Sequence, residues 1–285
     1  MAQIINTNLS SINAQRNLNK SQSEMATAVQ RLSSGLRVNS SKDDAAGLAI
    51  ADRMQSQIRG MNVAIRNAND GISLAQVADG AFGQLSDIVQ RMRELAVQSA
   101  NATNNDKDRE SLNQEYTQLI AEIQRTIQGT TFNGRPILFD GAGTQTFQVG
   151  AGTTENDKID ITSANLMDEP SIQDVLTTDI LTPAETGQPI AGTVDEAINR
   201  LDAMLDTINA QRAVYGAVQN RFSSVIATLQ VSAENQTAAR SRIMDADFAA
   251  ETAALSRAQI LQQAGTAMVA QANQLPQNVL SLLKG

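Results

Sequence analysis

Apolar side chains recur every three or four residues over most of this chain, which places them on one face of an α-helix. The longest such series runs from Met54 to Ala96, and its mean spacing of 3.5 residues is the period of a coiled coil. It predicts a helix from about Ala45 to Ala100, roughly 80 Å long at 1.5 Å per residue. Its members are Met54, Ile58, Met61, Ile65, Ala68, Ile72, Ala75, Ala78, Phe82, Leu85, Val89, Met92 and Ala96.

Both ends of the chain carry similar stripes but very few charges, and residues 255–283 hold only Arg257. The other faces are mostly Gln, Asn, Ser and Ala, which lose their water at modest cost because they are neutral. We therefore expect the two terminal helices to pair in an antiparallel coil whose outer faces are covered by further copies. The predicted packing positions are Leu9, Ile12, Leu18, Met25, Val29, Leu32, Leu261, Ala264, Met268, Ala272, Leu275, Val279 and Leu282.

The segments between these helices break the periodicity. Residues 37–44 and 240–249 interrupt it, and Ser41 is a plausible N-cap for the helix that follows the first break. A shorter helix carries Leu112 to Ile127, and another long one carries Val194 to Leu229. Period-two alternation at Phe147 and Val149, and again at Ile159 and Ile161, predicts a β-hairpin. Residues 163–192 are mostly polar with three prolines, so we expect this segment to be exposed.

The order of elements is palindromic and predicts a mainly α fold of long antiparallel coiled-coil helices, with a small β-hairpin region in the centre. We expect residues 1–44 and 246–285 to form a terminal coiled-coil domain. Residues 45–245 are expected to form a helical-bundle domain with the hairpin and a short exposed variable segment, 139–192. The five glycines of the long helix, at 47, 60, 71, 80 and 83, are interpreted as sites of close helix approach.

Composition excludes several classes of function. The net charge of −8 argues against a nucleic-acid surface, and no apolar run is long enough to cross a membrane. With no Cys and no His, disulfides, thiol nucleophiles and Cys/His metal sites are ruled out. No catalytic, cofactor or metal residues are predicted, because the acidic pairs Asp43–Asp44 and Asp195–Glu196 are explained as helix-start charges. The first residues lack the features of an ordinary signal peptide, which suggests a cytosolic protein or another export route.

Several long motifs resemble bacterial flagellin. In the first half they are INTNLSSINAQRNL, RLSSGLRVNSSKDDAAGLAIADRM, QRMRELAVQSAN and FNGRPIL. In the second half they are AVQNRFSSVIATL, ARSRIMDADFA and SRAQILQQAGTAMVAQANQLPQNVLSLL. The resemblance covers roughly residues 1–138 and 193–285, and the stretch between looks like a much shortened form of the family's variable region.

The resemblance implies a secreted, extracellular subunit of the flagellar filament, exported by a type III route and used for swimming motility. It implies helical self-polymerisation with the terminal helices in the filament core. It also implies contacts with an export chaperone at the C-terminal helix, with hook-associated junction proteins and with the filament cap. A Toll-like receptor 5 site is implied as well, accessible only in the monomer, at Gln90, Arg91, Glu94, Leu95, Gln98, Glu115 and Gln118.

Two alternatives to a filament protein are considered. A hook–filament junction protein shares the N-terminal pattern, although it is expected to lack the SRAQILQQ…LPQNVLSLL ending. A secreted helical effector or adhesin would also suit a helical chain without catalytic groups. Polymerisation separates these alternatives from the filament protein, because only the filament protein should lengthen filament fragments used as seeds.

Overall fold

A computed structural model describes residues 7–140, 143–163, 165–178, 180 and 191–284, with side chains for all of these except 191–193 and 275–284. The fold is mainly α, as predicted. The helices are α1 (Leu9–Ser34), α2 (Ala45–Ser99), α3 (Asp106–Gly129), α4 (Pro170–Leu176), α5 (Ala191–Met244) and α6 (Phe248–Lys284). The strands are β1 (Thr131–Phe132), β2 (Arg135–Pro136), β3 (Thr144–Gln148) and β4 (Lys158–Thr162).

Residue contacts divide the chain into two compact units. The terminal unit comprises Met1–Ile58 with Glu234–Gly285, and the central unit comprises Arg59–Ala233. These limits fall inside α2 and α5, whereas the limits expected from the sequence lie at the two breaks in the helical pattern.

In the terminal unit, α1 and α6 pack against each other in antiparallel orientation. The side-chain amide of Asn8 donates to the carbonyl of Ala272 at 2.7 Å, near the start of α1. At the other end of α1, the guanidinium of Arg31 lies 2.9 Å from a carboxylate oxygen of Glu251. Low-numbered residues of one helix thus meet high-numbered residues of the other, which confirms the predicted pairing of the terminal helices.

The two breaks also pair with each other in the terminal unit. Leu36 and Asp245 form an antiparallel β-bridge, and the amide of Ala246 donates to the carbonyl of Gly35 at 2.9 Å. Gly35 ends α1 with a φ of 70°, a left-handed conformation that glycine adopts without strain. A small apolar cluster beside the bridge contains Leu36, Val38, Leu48, Ala51, Ile243 and Met244.

The start of α2 differs from the prediction that Ser41 is its N-cap. A carboxylate oxygen of Asp44 accepts from the amide of Gly47 at 2.8 Å, which is the hydrogen bond of an N-cap. The carboxylate of Asp43 accepts from the Ser40 hydroxyl and amide and from the Asn39 amide, and these bonds lower the pKa of Asp43. Because Asp43 fixes residues 39–43 in a turn, the helix begins later than Ser41 would place it.

The central unit is a bundle of α2, α3 and α5. The predicted stripe of α2 is confirmed, since ten of its thirteen members are buried and Met54, Ile65 and Ile72 are partly buried. Ion pairs on the bundle surface fix the orientation of α5 against α2, with Arg93 2.7 Å from Asp202 and Arg212 3.0 Å from Asp79. The buried partners from α3 and α5 include Tyr116, Ile123, Ile127, Val194, Leu201, Ile208, Tyr215 and Phe222.

The predicted hairpin is confirmed and packs on this bundle. Strands β3 and β4 are antiparallel, and Phe147 lies opposite Ile159. The ring of Phe147 packs edge-on against that of Phe222 with centroids 5.6 Å apart. The side-chain amide of Asn67 donates to the carbonyl of Gln148 at 2.9 Å. The hydrogen bond from Asn67 therefore attaches the hairpin to α2, and the ring contact with Phe222 attaches it to α5.

The expectation that residues 163–192 are exposed was wrong for their first part, while 181–190 lie outside the described residues. Pro170 occupies the first turn of α4, a position where its missing N–H costs nothing. Ile172 and Val175 lie one turn apart and are buried with Leu166 and Ile180. Four apolar residues in a polar stretch are therefore enough to anchor it on the core of the central unit.

The interpretation of the α2 glycines as sites of close helix approach holds at one position, and a second glycine faces a loop. A Cβ at Gly71 would lie 2.6 Å from the ring of Phe222, and one at Gly60 would lie 2.8 Å from the Cβ of Ala151. No atom lies within 4 Å of a Cβ built at Gly80 or Gly83. A Cβ at Gly47 would meet only Asp44, its own N-cap. Close approach of a helix therefore occurs at Gly71, where the neighbour is Phe222 of α5. At Gly60 the neighbour is the loop between β3 and β4, and at the other three positions the interpretation was wrong.

Gly71→Ala and Gly80→Ala should change stability in opposite directions. The first must displace a buried aromatic ring, which costs about 1–3 kcal/mol. Gly80→Ala adds only helix propensity, which raises the free energy of unfolding by up to about 1 kcal/mol. Denaturant unfolding of both variants beside the unchanged chain measures the difference, and equal shifts for the two would contradict the assigned contact with Phe222.

Val175→Ala should lower the free energy of unfolding by about 2 kcal/mol, because two buried methyl groups are removed and a cavity remains. Val77→Ala in the same unit is the matched control, since Val77 is exposed and its loss should stay within about 0.5 kcal/mol. If both variants unfold at the same denaturant concentration, α4 does not contribute to the core.

Candidate assembly surface

The contact between α1 and α6 is built from small side chains. The buried residues of α1 are Ser11, Ser21 and Ala28. On α6, Ala258 and Ala272 are buried, and Gly265 lies midway between them at steps of seven residues. A Cβ at Gly265 would lie 3.2 Å from the Cδ1 of Leu18. The two helices therefore approach closely along a heptad seam of Ser, Ala and Gly.

Some large apolar side chains of α6 lie outside this seam. Of the predicted positions on α6, Leu261 is 47% exposed and Met268 is 62% exposed. Ala264 is also exposed, whereas Ala272 is buried in the seam. The remaining predicted positions, Leu275, Val279 and Leu282, lie outside the described side chains. The predicted positions Leu261, Ala264 and Met268 therefore form a second apolar face of α6 that α1 leaves exposed, and we call these three residues the outer stripe.

The predicted positions on α1 divide in the same way. Leu18, Met25 and Leu32 are partly buried at steps of seven residues. Leu9 is 63% exposed, and Ile12 and Val29 are exposed as well. The structure thus brings three predicted positions of α1 into the coil and leaves three on its surface.

Sequence reasoning missed the seam of α6 because alanine and glycine carry little hydrophobic signal. The seven-residue spacing of Ala258, Gly265 and Ala272 could have shown it, together with Leu255, Gln262 and Val269, which follow the same step. Leu261 and Met268 are more hydrophobic than alanine and glycine, so the sequence pattern indicated the outer stripe instead.

A shallow groove runs beside the outer stripe. Leu261, Gly265 and Met268 of α6 lie on one side of it, and Asn13, Asn17 and Lys20 are among the residues of α1 on the other. Between Phe248 and Gln274, α6 carries only two charged residues, Glu251 and Arg257. On the α6 side, little charge would have to lose its water if another chain covered this surface, whereas the α1 side carries the exposed pair Lys20 and Glu24.

A second candidate surface lies on the central unit, where the receptor site implied by the resemblance falls. The guanidinium of Arg91 donates to Glu94 within α2 and to Glu115 of α3, both at 2.9 Å. These two carboxylates raise the pKa of Arg91. Gln90, Gln98 and Gln118 are exposed with them.

Leu95 does not belong to this surface. Its side chain is 1% exposed, because it lies one turn along from Met92 on the buried stripe of α2. Six of the seven implied receptor residues are therefore available on the surface, joined across two helices by the ion pairs of Arg91.

Among the described residues, no three carboxylates lie close enough to hold a metal ion. None of the described helices is long and apolar enough to span a membrane. What the terminal unit offers chemically is an apolar surface on a helical coil.

Comparisons with known proteins identify the family. A family model described as the bacterial flagellin N-terminal helical region matches residues 5–144, and the flagellin C-terminal helical region matches residues 193–283. The chain is 44% identical to a flagellin of Halalkalibacterium halodurans over 99% of this chain and all of the relative. It is 41% identical to a flagellin of Xenorhabdus nematophila over the full length of both.

A solved structure from Vibrio parahaemolyticus, described as a flagellar hook-associated protein, shares the fold with a TM-score of 0.59. It is 13% identical and is covered completely by 71% of this chain, which shows a common fold alone. The flagellin matches, in contrast, extend over both terminal regions and nearly the whole length. These matches favour the filament protein over the junction protein and the helical effector. The chain belongs to the flagellin family, the non-enzymatic structural proteins of the extracellular bacterial flagellar filament.

Proposed function

We propose that this chain polymerises with copies of itself through the terminal unit and that the resulting filament serves swimming motility. Polymerisation buries the outer stripe of α6 and the exposed apolar residues of α1. The observation that carries the proposal is the exposure of large apolar side chains on a coil that already has a closed seam. Covering Leu261 or Met268 contributes about 1–2 kcal/mol each, since part of each side chain is already buried.

The exposed apolar residues lie on more than one side of the coil. Ile260 and Leu261 are both exposed and are adjacent in α6, so their side chains point about 100° apart. Leu9, Ile12 and Val29 are exposed on α1 as well. A single partner would cover one side only. Several neighbours around each coil, as in the interior of a filament, would cover them all.

Other partners are proposed for the same surfaces. Before assembly, the outer stripe needs a temporary cover, which we assign to a flagellin export chaperone at the C-terminal helix. Hook-associated junction proteins and the filament cap are proposed to meet the chain at the two ends of the filament. Family membership supports these assignments.

Replacing Leu261 and Met268 together with lysine should abolish filament growth and leave the central unit folded. Two unpaired charges would have to be buried in the assembly, and each 1.4 kcal/mol of penalty lowers the association constant tenfold. Growth is measured by electron microscopy after filament fragments are added as seeds, and folding of the central unit by circular dichroism.

The matched control is Gln259→Lys with Thr266→Lys. It has the same added charge and the same seven-residue spacing, but it alters polar exposed residues on the opposite flank of α6. It should elongate seeds at least about tenfold faster than the stripe variant. Normal filaments from the Leu261 and Met268 variant would contradict burial of the outer stripe.

A second function is proposed for the monomer, recognition by Toll-like receptor 5. It is favoured by one observation, the exposed polar surface on α2 and α3 in which Arg91 joins Glu94 and Glu115. Arg91 and its partners present a fixed arrangement of one guanidinium and two carboxylates, the kind of pattern that gives specificity in protein recognition.

Arg91→Ala should raise the concentration of monomer needed to activate receptor-expressing cells by at least about tenfold, because central charged contacts are energetic hot spots. Arg125→Ala is the control, since Arg125 is an exposed arginine of α3 that pairs with Glu122 in the same helix. Equal activation by both variants would refute the assignment of Arg91.

A further inference from the structure

Met268 differs in its accessibility from the other methionines that the structure describes. It is 62% exposed on the outer stripe. Met61, Met92, Met204 and Met244 are buried, and Met25, Met54 and Met167 are partly buried. Oxidation of a thioether requires access of the oxidant to sulfur, so exposure ranks the methionines by their susceptibility.

We propose that Met268 is an oxidation site for peroxides and that its conversion to the sulfoxide blocks addition of this chain to the filament. The proposal rests on the proposed burial of the outer stripe. It makes the chain's competence for assembly depend on the redox state of one side chain, in a protein that has no cysteine.

The reaction is a two-electron oxygen transfer from a hydroperoxide. A lone pair of the Met268 sulfur attacks the terminal peroxide oxygen, a sulfur–oxygen bond forms, and the oxygen–oxygen bond breaks. The proton on the transferred oxygen passes to the departing hydroxide, so hydrogen peroxide leaves as water. Sulfur is oxidised to the sulfoxide and the peroxide is reduced.

The position of Met268 separates assembly from the fold of the free chain. The seam with α1 is formed by Ala258, Gly265 and Ala272, and Met268 lies to one side of it beside Leu261. A sulfoxide there remains in water in the monomer, so the coil is undisturbed. In the filament, the same strongly polar group would be buried on an apolar face without a dedicated hydrogen-bond partner, which opposes addition.

The experiment uses purified full-length monomer treated with hydrogen peroxide. Peptide mass spectrometry gives the oxidised fraction at each methionine, circular dichroism checks the fold, and seeded elongation is followed by electron microscopy. Met268→Leu cannot form a sulfoxide, whereas Met25→Leu retains Met268 and is the matched control. Each protein is compared with its own untreated sample, so different starting rates do not matter.

We expect Met268 to be oxidised several-fold faster than any buried methionine, and elongation by the unchanged chain and by Met25→Leu to fall at least about tenfold. Met268→Leu should keep most of its own rate. Treatment with methionine sulfoxide reductases A and B, which reduce the two sulfoxide epimers, should restore elongation of the oxidised chain.

Normal elongation by a chain fully oxidised at Met268, or equal inhibition of Met268→Leu, would overturn the inference. Failure of the proposed function has a different signature. In that case untreated monomer would not elongate seeds, or Met268 would oxidise as fast in assembled filaments as in the monomer.

Discussion

The close approach of α1 and α6 is the contact on which the terminal unit depends. Ser, Ala and Gly along the seam let the helix backbones come near each other, and Leu18 fills the space that a side chain at position 265 would take. Because these small residues occupy the inside of the coil, the larger apolar residues of α6 must lie elsewhere on its surface. Intramolecular packing thus determines which side chains remain for other molecules.

A seam of this kind buries little apolar area in each turn. Burial of alanine contributes much less than burial of leucine or phenylalanine, so the isolated coil gains only modest stability from its own contacts. The central unit is built differently, with Phe82, Tyr215 and Phe222 fully buried in its core. Each unit therefore has the core that its role requires, since one completes its packing within the chain and the other needs neighbours.

The long helices and the hairpin were predictable because their signals are periodic and strong. Large apolar residues at a mean step of 3.5 identified α2, and period-two alternation identified β3 and β4. The bounds of α2 agree with the expected helix within one residue. Such elements can be predicted without the tertiary structure, because the spacing of apolar residues within each helix or strand already identifies its buried face.

Other features depend on tertiary contacts that sequence does not show. The four buried residues around α4 are dispersed among polar ones, and their burial follows from docking on a core formed by distant segments. The glycines of α2 look alike in sequence, yet only Gly60 and Gly71 face an atom from a distant segment of the chain. Leu95 was assigned to a surface by resemblance, while the register of α2 places it inside.

The choice of side chains on the outer stripe reflects a conflict between assembly and solubility. A stripe of aromatic rings would bury more area, but it would also favour disordered association of free chains. Leucine, alanine and methionine surrounded by Gln, Asn and Ser keep the apolar surface narrow and almost uncharged. Methionine is unbranched and adapts to irregular gaps, which suits the proposed interface with neighbours on several sides. The Met268 sulfur stays accessible to oxidants as long as no other subunit covers the outer stripe. The exposure that leaves this stripe free for assembly therefore also leaves Met268 open to oxidation.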